Sequence, residues 1–456
     1  MGELIYQKEY KKLQNCSIAI IGLGYVGLPL AITFGKTKSC SFTKKKLNRK
    51  IIGYDINESR INQLNDFRDK TNEIDEKDFI ASKSNLIFTN DKNDIIEADI
   101  FIITVPTPIT SSKDPDLFFI ESATSLVGEA INRKYIKDSS LDFNPLIIYE
   151  STVYPGVTED ICVPILEKIT GKKLNQDFFV GYSPERINPG DKKNTLNTII
   201  KVTSGSNREA SLRVDYLYKS IIDAGTFNVS SIKIAEACKV IENTQRDLNI
   251  AFVNELSMIF KALEIPTLEV LEAAKTKWNF LDFKPGLVGG HCIGIDPYYL
   301  TYKSRQMGIS PRLVSSGRKI NDGMAKWIVD QLIIEMARKK LVIGGEKVLI
   351  LGYSYKENCG DHRNSRVVDI VRSLNVYGLI CDVVDPYIDS EECEKDYSLK
   401  ILNKIPSYKY GAVVVAVGHD IFRAITYQGW IKIIKNDGII FDVKGICPEN
   451  LPVIKI

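Results

Sequence analysis

A run of apolar, mostly β-branched residues (16–21) runs into Gly22-Leu23-Gly24-Tyr25-Val26-Gly27 and then into a stretch suited to a buried helix (28–34). No other feature limits the fold as much. G-x-G-x-x-G between a strand and a helix requires a tight turn at the first glycine, approach of a pyrophosphate to the backbone at the second, and close helix–strand packing at the third. The phosphates then lie at the helix N-terminus, where unpaired N–H groups face them. A second strand ending in an acid completes the pattern, and Ile51-Ile52-Gly53-Tyr54-Asp55 supplies it. Asp55 can accept both ribose hydroxyls and would repel a 2′-phosphate, so the expected cofactor is NAD rather than NADP. It stands farther from Gly22 than the usual spacing of about 20 residues. The excess falls in residues 36–50, rich in Lys, Ser and Thr, which read as a solvated surface loop.

Strand-like runs alternate with helical periodicity onward through 86–89, 99–105, 146–150 and 178–182, followed by a strand–helix pair at 199–202 and 208–222. This alternation predicts a doubly wound parallel sheet with its ligands at the carboxyl ends of the strands. The polar segments there are Val105-Pro106-Thr107-Pro108, residues 150–156 (Glu150, Ser151 and Thr152 first) and residues 183–190, which include Glu185, Arg186, Asn188, Pro189 and Gly190. Residues 232–263 read as one long helix without Pro or Gly, apolar on more than one face through Ile234, Cys238, Ile241, Leu248, Phe252, Leu256 and Ile259. Such a helix suits a central connector that also meets a second subunit. Lys239 and Asn243, at i and i+4, project from one face of it. A further helix is expected at 315–339.

A second α/β unit starts at Lys347, with strands at 348–352, 379–384, 412–417 and 439–443 and a helix at 365–376. Its first strand is not followed by G-x-G-x-x-G. The turn is Tyr353-Ser354-Tyr355-Lys356-Glu357-Asn358, with Asp361-His362-Arg363 close behind, and predicts a basic pocket for a different nucleotide in which Lys356 and Arg363 face phosphate or sugar. The two α/β units share a layout and not a sequence repeat.

The 456 residues suffice for roughly three domains, and a net charge of only +3 excludes the broad basic footprint of a nucleic-acid binder. Nine cysteines are scattered without a C-x-x-C pair, which points to a reducing compartment and against zinc. The first 15 residues contain no apolar signal core, and the longest apolar run is broken by Gly22, Gly24, Gly27 and Pro29. A cytoplasmic protein without a membrane span is expected. Cys292 sits among Gly286, Gly289, Gly290 and Gly294, four residues before Asp296, and reads as a nucleophile on a loop whose glycines let a ligand approach. His362 and His419 read as turn or surface residues, and Tyr298-Tyr299 as packing against the long helix.

Together, residues 22–29, Asp55, 105–108, 151–156, Lys239 with Asn243, 289–296 and 352–363 resemble, in order and over nearly the whole chain, the nucleotide-sugar dehydrogenases of the UDP-glucose/GDP-mannose dehydrogenase family. The resemblance implies an α/β fold of two Rossmann-like, doubly wound parallel-sheet domains, residues 1–230 for NAD and 341–456 for the UDP-sugar. They are joined by a central long-helix dimerisation region, residues 231–340. It implies oxidation of a sugar C6 alcohol to a carboxylate with two NAD, through a thiohemiacetal and a thioester on Cys292. Lys239 and Asn243 would stabilise the oxyanion, Thr152 would contact nicotinamide or catalytic water, and Glu185 and Asp296 share the base and water-holding roles in an order the sequence leaves open. Implied cofactor contacts are Gly22, Gly24, Tyr25, Val26, Gly27, Asp55, Arg60, Val105, Thr107 and Thr152. Implied substrate contacts are Glu185, Arg186, Lys239, Asn243, Gly289, Tyr355, Lys356, Arg363 and Lys444, with Arg312 reaching a partner's substrate across a homodimer.

Two departures refine this. His291 precedes Cys292 and Gly294-Ile295 precede Asp296, where the UDP-glucose branch has Ser and Pro-Lys, and residues 183–190 replace a more apolar segment. Both resemble the branch acting on UDP-N-acetylglucosamine or UDP-N-acetylgalactosamine in capsule and O-antigen synthesis. UDP-N-acetylmannosamine and UDP-glucose are the alternative substrates, and a catalytically silent NAD-binding sensor is the alternative of another class.

Overall fold

A computed structural model describes residues 11–71, 73–137, 144–187, 194–290, 292–448, 450–451 and 453–456. His291 and residues 188–190 of the loop after Glu185 lie outside the described residues. The chain divides into two compact units, residues 1–242 with 298–303 and residues 243–297 with 304–456. Among the described residues no helix is long and apolar enough to cross a membrane.

The first unit is built on a sheet of β1 (Ser17–Ile21), β2 (Lys50–Tyr54), β3 (Leu86–Thr89), β4 (Ile100–Ile103), β5 (Leu146–Tyr149), β6 (Phe179–Tyr182), β7 (Lys201–Gly205) and β8 (Thr226–Asn228). Their order is β3-β2-β1-β4-β5-β6-β7-β8. Every residue of β4 and β5 is buried, as expected for β-branched and aromatic runs covered on both faces by helices. The order reverses beside β1, so the turns after β1 and β4 border the crevice where such sheets bind ligands. The expected parallel pairing holds from β3 across to β6. β7 then runs antiparallel to β6, with Gly181 opposite Gly205 and Tyr182 opposite Ser204.

Residues 36–50 are not the solvated loop their lysines suggest. Cys40 and Leu47 are buried, and Ser39 bridges to Lys46. The buried Arg49 guanidinium donates to the Leu13 carbonyl at 2.9 Å and the Ser220 hydroxyl at 2.8 Å. Charge density along the chain concealed this, because three apolar or paired side chains anchor a segment whose other residues stay wet.

In the second unit β9 (Lys347–Leu351), β10 (Ile380–Val384), β11 (Ile401–Leu402), β12 (Tyr410–Val415), β13 (Ile434–Asp442) and β14 (Val453–Lys455) form a sheet in the order β11-β10-β9-β12-β13-β14. All its pairs are parallel. Val348 and Ile350 enter one apolar core and Leu349 and Leu351 the other, the two-residue period of a strand buried on both faces. The long helix is Ile232–Ala262, and the next long one begins at Arg312 and runs to Arg338. A buried polar network joins these two helices within the second unit. Asp247 accepts from Arg318 at 2.6 Å and Asn321 at 2.7 Å, and Asn254 bonds Asn321 at 2.8 Å. Asn254 also pairs with both backbone groups of Gly286, at 2.8 and 3.0 Å, which fixes the start of the Cys292 loop.

Candidate active site

The turn after β1 is shaped as its glycines require. Gly22 has φ +95°, and a Cβ on Gly27 would lie 1.8 Å from the Gly22 carbonyl oxygen and 2.4 Å from Thr104 Oγ1. A Cβ on Gly24 would meet nothing within 4 Å, so that glycine fronts open space. Half-buried Tyr25 follows it. The helix Gly27–Lys36 begins after Val26 with no side-chain cap and no acid in its first turn, a positive dipole end that suits an anion. Asp55 stands one residue past β2. Its Oδ2 accepts the Leu23 N–H at 2.7 Å and its Oδ1 the Asn57 N–H at 2.9 Å, leaving lone pairs for ribose hydroxyls. These features fit a pyrophosphate and an adenosine ribose.

Arg60 donates to the Leu23 carbonyl at 3.0 Å and lies 3.0 Å from Asp69, bracing the turn from behind. The β4 and β5 loops are tied by Ser151 to the Val105 carbonyl (2.6 Å) and Thr107 to the Thr152 carbonyl (2.7 Å). Tyr299 donates to the Thr107 carbonyl at 2.9 Å and lies against Tyr154, and Lys113 lies over Tyr298. These tyrosines therefore support the β4 loop, where packing on the long helix was expected. Replacing Asp55 with Asn is expected to weaken NAD binding about tenfold, the loss of charge-assisted bonds, and to narrow its preference over NADP. Titration with both cofactors checks this.

At the carboxyl ends of β5 and β6 lies a buried charged cluster. Lys201 Nζ is 2.6 Å from Glu150 Oε2 and 3.4 Å from Glu185 Oε2. Tyr218 donates to the other Glu150 oxygen. Glu185 Oε1 accepts the Arg186 and Ile187 N–H groups, both at 2.6 Å. Burial pushes the Glu150 carboxyl up to about 7, against the pull of Lys201. Burial also opposes the Glu185 charge, but Lys201, the Ile187 amide, Lys239 and the Arg186 amide together hold it below the usual carboxylate range. Arg186 pairs with Glu242 at 2.7 Å and donates to the Ile200 carbonyl at 2.8 Å. Lys239 is buried, on the side of its helix turned toward Glu185. One turn before it, buried Glu236 accepts the N–H groups of Gly156 (2.6 Å) and Thr158 (3.0 Å) and anchors the β5 loop. Sequence reasoning missed Glu236 and Lys201, whose partners are remote in the chain.

The second unit carries Cys292, the expected nucleophile. It is half-buried and lies in the turn that precedes the helix Asp296–Gln306, its carbonyl accepting the Asp296 N–H at 2.8 Å. Asp296 is buried and takes the Asn243 amide at 2.5 Å. Burial pushes the thiols of Cys16 and Cys393 up to about 11 and those of Cys162 and Cys381 up to about 12. Cys238 and Cys447 are raised for the same reason.

A cleft at the switch point of the second sheet is lined by Leu287, Gly289, Ser354, Tyr355, Arg366 and Lys444, among others. Added Cβ atoms at Gly289 and Gly290 would meet the Asn364 carbonyl oxygen and the Tyr355 ring, both at 2.8 Å, so the glycines let the loop lie on that ring. Lys444 pairs with Glu357 at 3.0 Å. Arg363 is exposed and bound by two bonds to Asp361, at 2.9 and 2.7 Å. Lys356 is half-buried. Arg366, which sequence reasoning missed, also lines the cleft, with its guanidinium paired to Asp322 at 2.8 Å and Asp369 at 3.2 Å. Arg312 is exposed at the first residue of its helix.

His362 and His419 are buried, contrary to expectation. His419 Nδ1 accepts the Asn358 N–H at 2.8 Å, so its Nε2 carries the proton and donates to Asp385 at 3.0 Å. Asp385 follows β10 as Asp55 follows β2, but its Oδ2 also accepts the Tyr353 and Ser354 N–H groups, at 2.8 and 3.0 Å. Its Oδ1 accepts the Tyr387 N–H at 2.9 Å, so the fully buried carboxylate is turned to the protein's own backbone.

Residues 16–222 match the NAD binding domain of the UDP-glucose/GDP-mannose dehydrogenase family, residues 233–323 its central domain and residues 349–449 its UDP binding domain. The chain belongs to the UDP-glucose/GDP-mannose dehydrogenase family. This dehydrogenase is 47% identical over 438 residues to UDP-N-acetyl-D-glucosamine 6-dehydrogenase of Salmonella typhi, covering 96% of this chain and 98% of that one. It is also 47% identical to Protein CapL of Staphylococcus aureus, over 95% and 96% of the two chains. Among solved structures, UDP-D-ManNAc dehydrogenase from Pyrococcus horikoshii matches with a TM-score of 0.83 at 27% identity, covering 96% of this chain and 99% of that one.

Proposed function

We propose that this family member oxidises C6 of UDP-N-acetyl-D-glucosamine to the uronic acid, using two NAD per sugar, in the cytoplasm and for capsule or O-antigen polysaccharide synthesis. The observation that carries the reading is the 47% identity to a UDP-N-acetyl-D-glucosamine 6-dehydrogenase along nearly all of both chains. The chemistry of the residues supports it.

NAD, when bound, accepts a hydride at each of the two oxidations. Gly22, Gly24, Gly27 and Asp55 hold it in the first unit. Cys292 thiolate adds to the C6 carbonyl carbon after the first oxidation, and the thiohemiacetal becomes a thioester at the second. Water then adds at that carbon and the C–S bond breaks. The water oxygen stays in the carboxylate, one of its protons returns to sulfur and the other is released. Lys239 and the Asn243 amide, one turn apart on their helix, stabilise the oxygen that gains negative charge at each stage. Glu185, held ionised, is a poor proton acceptor suited to orienting the water. This favours Asp296 as the base. In the second unit Tyr355, Lys356, Arg363 and Lys444 serve the nucleotide.

The long helix leaves Ile234, Ile241, Phe252 and Ile259 exposed, a surface that suits a second copy of the chain. In that homodimer Arg312 reaches the partner's substrate. The test is NADH released per sugar with UDP-N-acetylglucosamine, UDP-N-acetylgalactosamine, UDP-N-acetylmannosamine and UDP-glucose. Two NADH and one uronate from UDP-N-acetylglucosamine are expected. Preference for another sugar would overturn the substrate, and no turnover with any would leave the silent sensor.

A further inference from the structure

The geometry points to Lys201 as a positioning residue that holds the Glu185 carboxylate ionised and aimed for the water-consuming step, with Glu150 and Tyr218 as the buried groups that fix Lys201 in place. The inference rests on the dehydrogenase reading above and assigns a role to a side chain that touches neither substrate nor cofactor.

The argument begins with topology. In an all-parallel sheet the first residue of a strand lies at the edge remote from the ligand crevice. β7 is reversed, so its first residue, Lys201, comes to the carboxyl end of β6. Extending the pairing of Tyr182 with Ser204 by three residues sets position 185 opposite position 201. The side chains meet there, 3.4 Å apart, with Lys201 3% and Glu185 9% exposed.

Burial makes the contact consequential. A lone carboxylate in such a place would take up a proton, and a lone lysine would lose one. The groups facing Glu185 are Lys201 from β7, Glu150 from the end of β5, Lys239 from the long helix and, behind Glu150, Tyr218 from the helix Arg208–Lys219. Of the two ammonium groups, Lys201 acts on Glu185 more strongly than Lys239. Removing Lys201 leaves the buried Glu185 charge poorly compensated, which favours protonation.

The backbone bonds divide the work between the two Glu185 oxygens. Oε1 is taken by the Arg186 and Ile187 N–H groups, and Oε2 faces Lys201. A carboxylate pinned at one oxygen by amides and at the other by an ammonium has little rotational freedom. Its remaining lone pairs point in fixed directions, which a water-orienting role requires.

The test follows the Glu185 carboxyl directly, by isotope-edited infrared titration of protein carrying labelled glutamate, its band assigned by difference from Glu185→Gln. Lys201→Met is expected to raise its midpoint by at least about one pH unit, and Lys201→Arg to restore it. Lys201→Met alone strands the buried Glu150 charge and can impair folding. The double variant Glu150→Gln with Lys201→Met removes the pair together and should show a rise in the same direction, smaller because the repelling Glu150 charge goes with it. In both, kcat for the UDP-sugar should fall at least about tenfold with KM within about threefold, a split that marks loss after binding. An unmoved midpoint in the double variant overturns the proposal. So does a moved midpoint with unchanged kcat, and in that case wild-type turnover still stands for the dehydrogenase reading. Absence of NADH from wild-type protein with all four sugars is a distinct failure, of that reading itself.

Discussion

Replacing Cys292 with alanine is expected to abolish uronic acid formation, by a factor on the order of a thousand or more. In the proposed mechanism the Cys292 thiolate holds the aldehyde carbon as a tetrahedral adduct for the second oxidation. Burial keeps Cys16, Cys162, Cys238, Cys381, Cys393 and Cys447 in their thiol form at neutral pH. The variant should fold, because Cys292 is only half-buried and stands in the turn before a helix rather than in a packed core. The readouts are NADH per sugar, falling from two to at most one, and mass-spectrometric detection of the uronate. Full acid output from the variant would sink the covalent mechanism.

Gly27→Ala is expected to fail in a different way, by breaking the fold of the first unit. Its Cβ would lie 1.8 Å from the Gly22 carbonyl oxygen, a backbone atom that cannot swing aside as a side chain could. The helix must retreat from β1, at a cost of about 3 kcal/mol or more. Gly24→Ala is the informative companion. Its Cβ meets nothing within 4 Å, so the melting temperature should hold while NAD affinity falls about tenfold or more, because the methyl group projects into space meant for phosphate. Thermal unfolding and NAD titration on the same two proteins separate the cases. If Gly27→Ala melted like wild type, the close packing of strand and helix described above would be wrong.

Both residues were legible in the sequence, and so was most of the first β–α–β framework. The turn glycines and Asp55 act through backbone geometry at fixed spacing, a local property that a string of residues displays. The long helix Ile232–Ala262 was legible for the same reason, since an unbroken period without Gly or Pro leaves few alternatives. What escaped was nonlocal. Lys201 looks like an ordinary charge at the end of an apolar run, and only the pairing of β7 with β6 brings it to Glu150 and Glu185. Strand direction leaves no mark in periodicity, so the reversal of β7 was invisible. His419 was misjudged because one backbone N–H, one carboxylate and a buried turn make it an interior residue, and none of these adjoins it in sequence. Arg366 escaped because it stands beside Arg363, which matches the family pattern yet is bound by Asp361.

The reversed strand also bears on how such a chain can change over generations. Lys201 reaches Glu185 through cross-strand bonds, among them Ser183 to the Val202 carbonyl at 2.7 Å and Ser204 to the Tyr182 carbonyl at 2.8 Å. Arg186 fastens to the Ile200 carbonyl and so closes the neck of the intervening segment. These cross-strand bonds set where the ammonium group arrives, so exchanges elsewhere in the chain that leave the pairing of β6 with β7 intact should leave the ion pair in place.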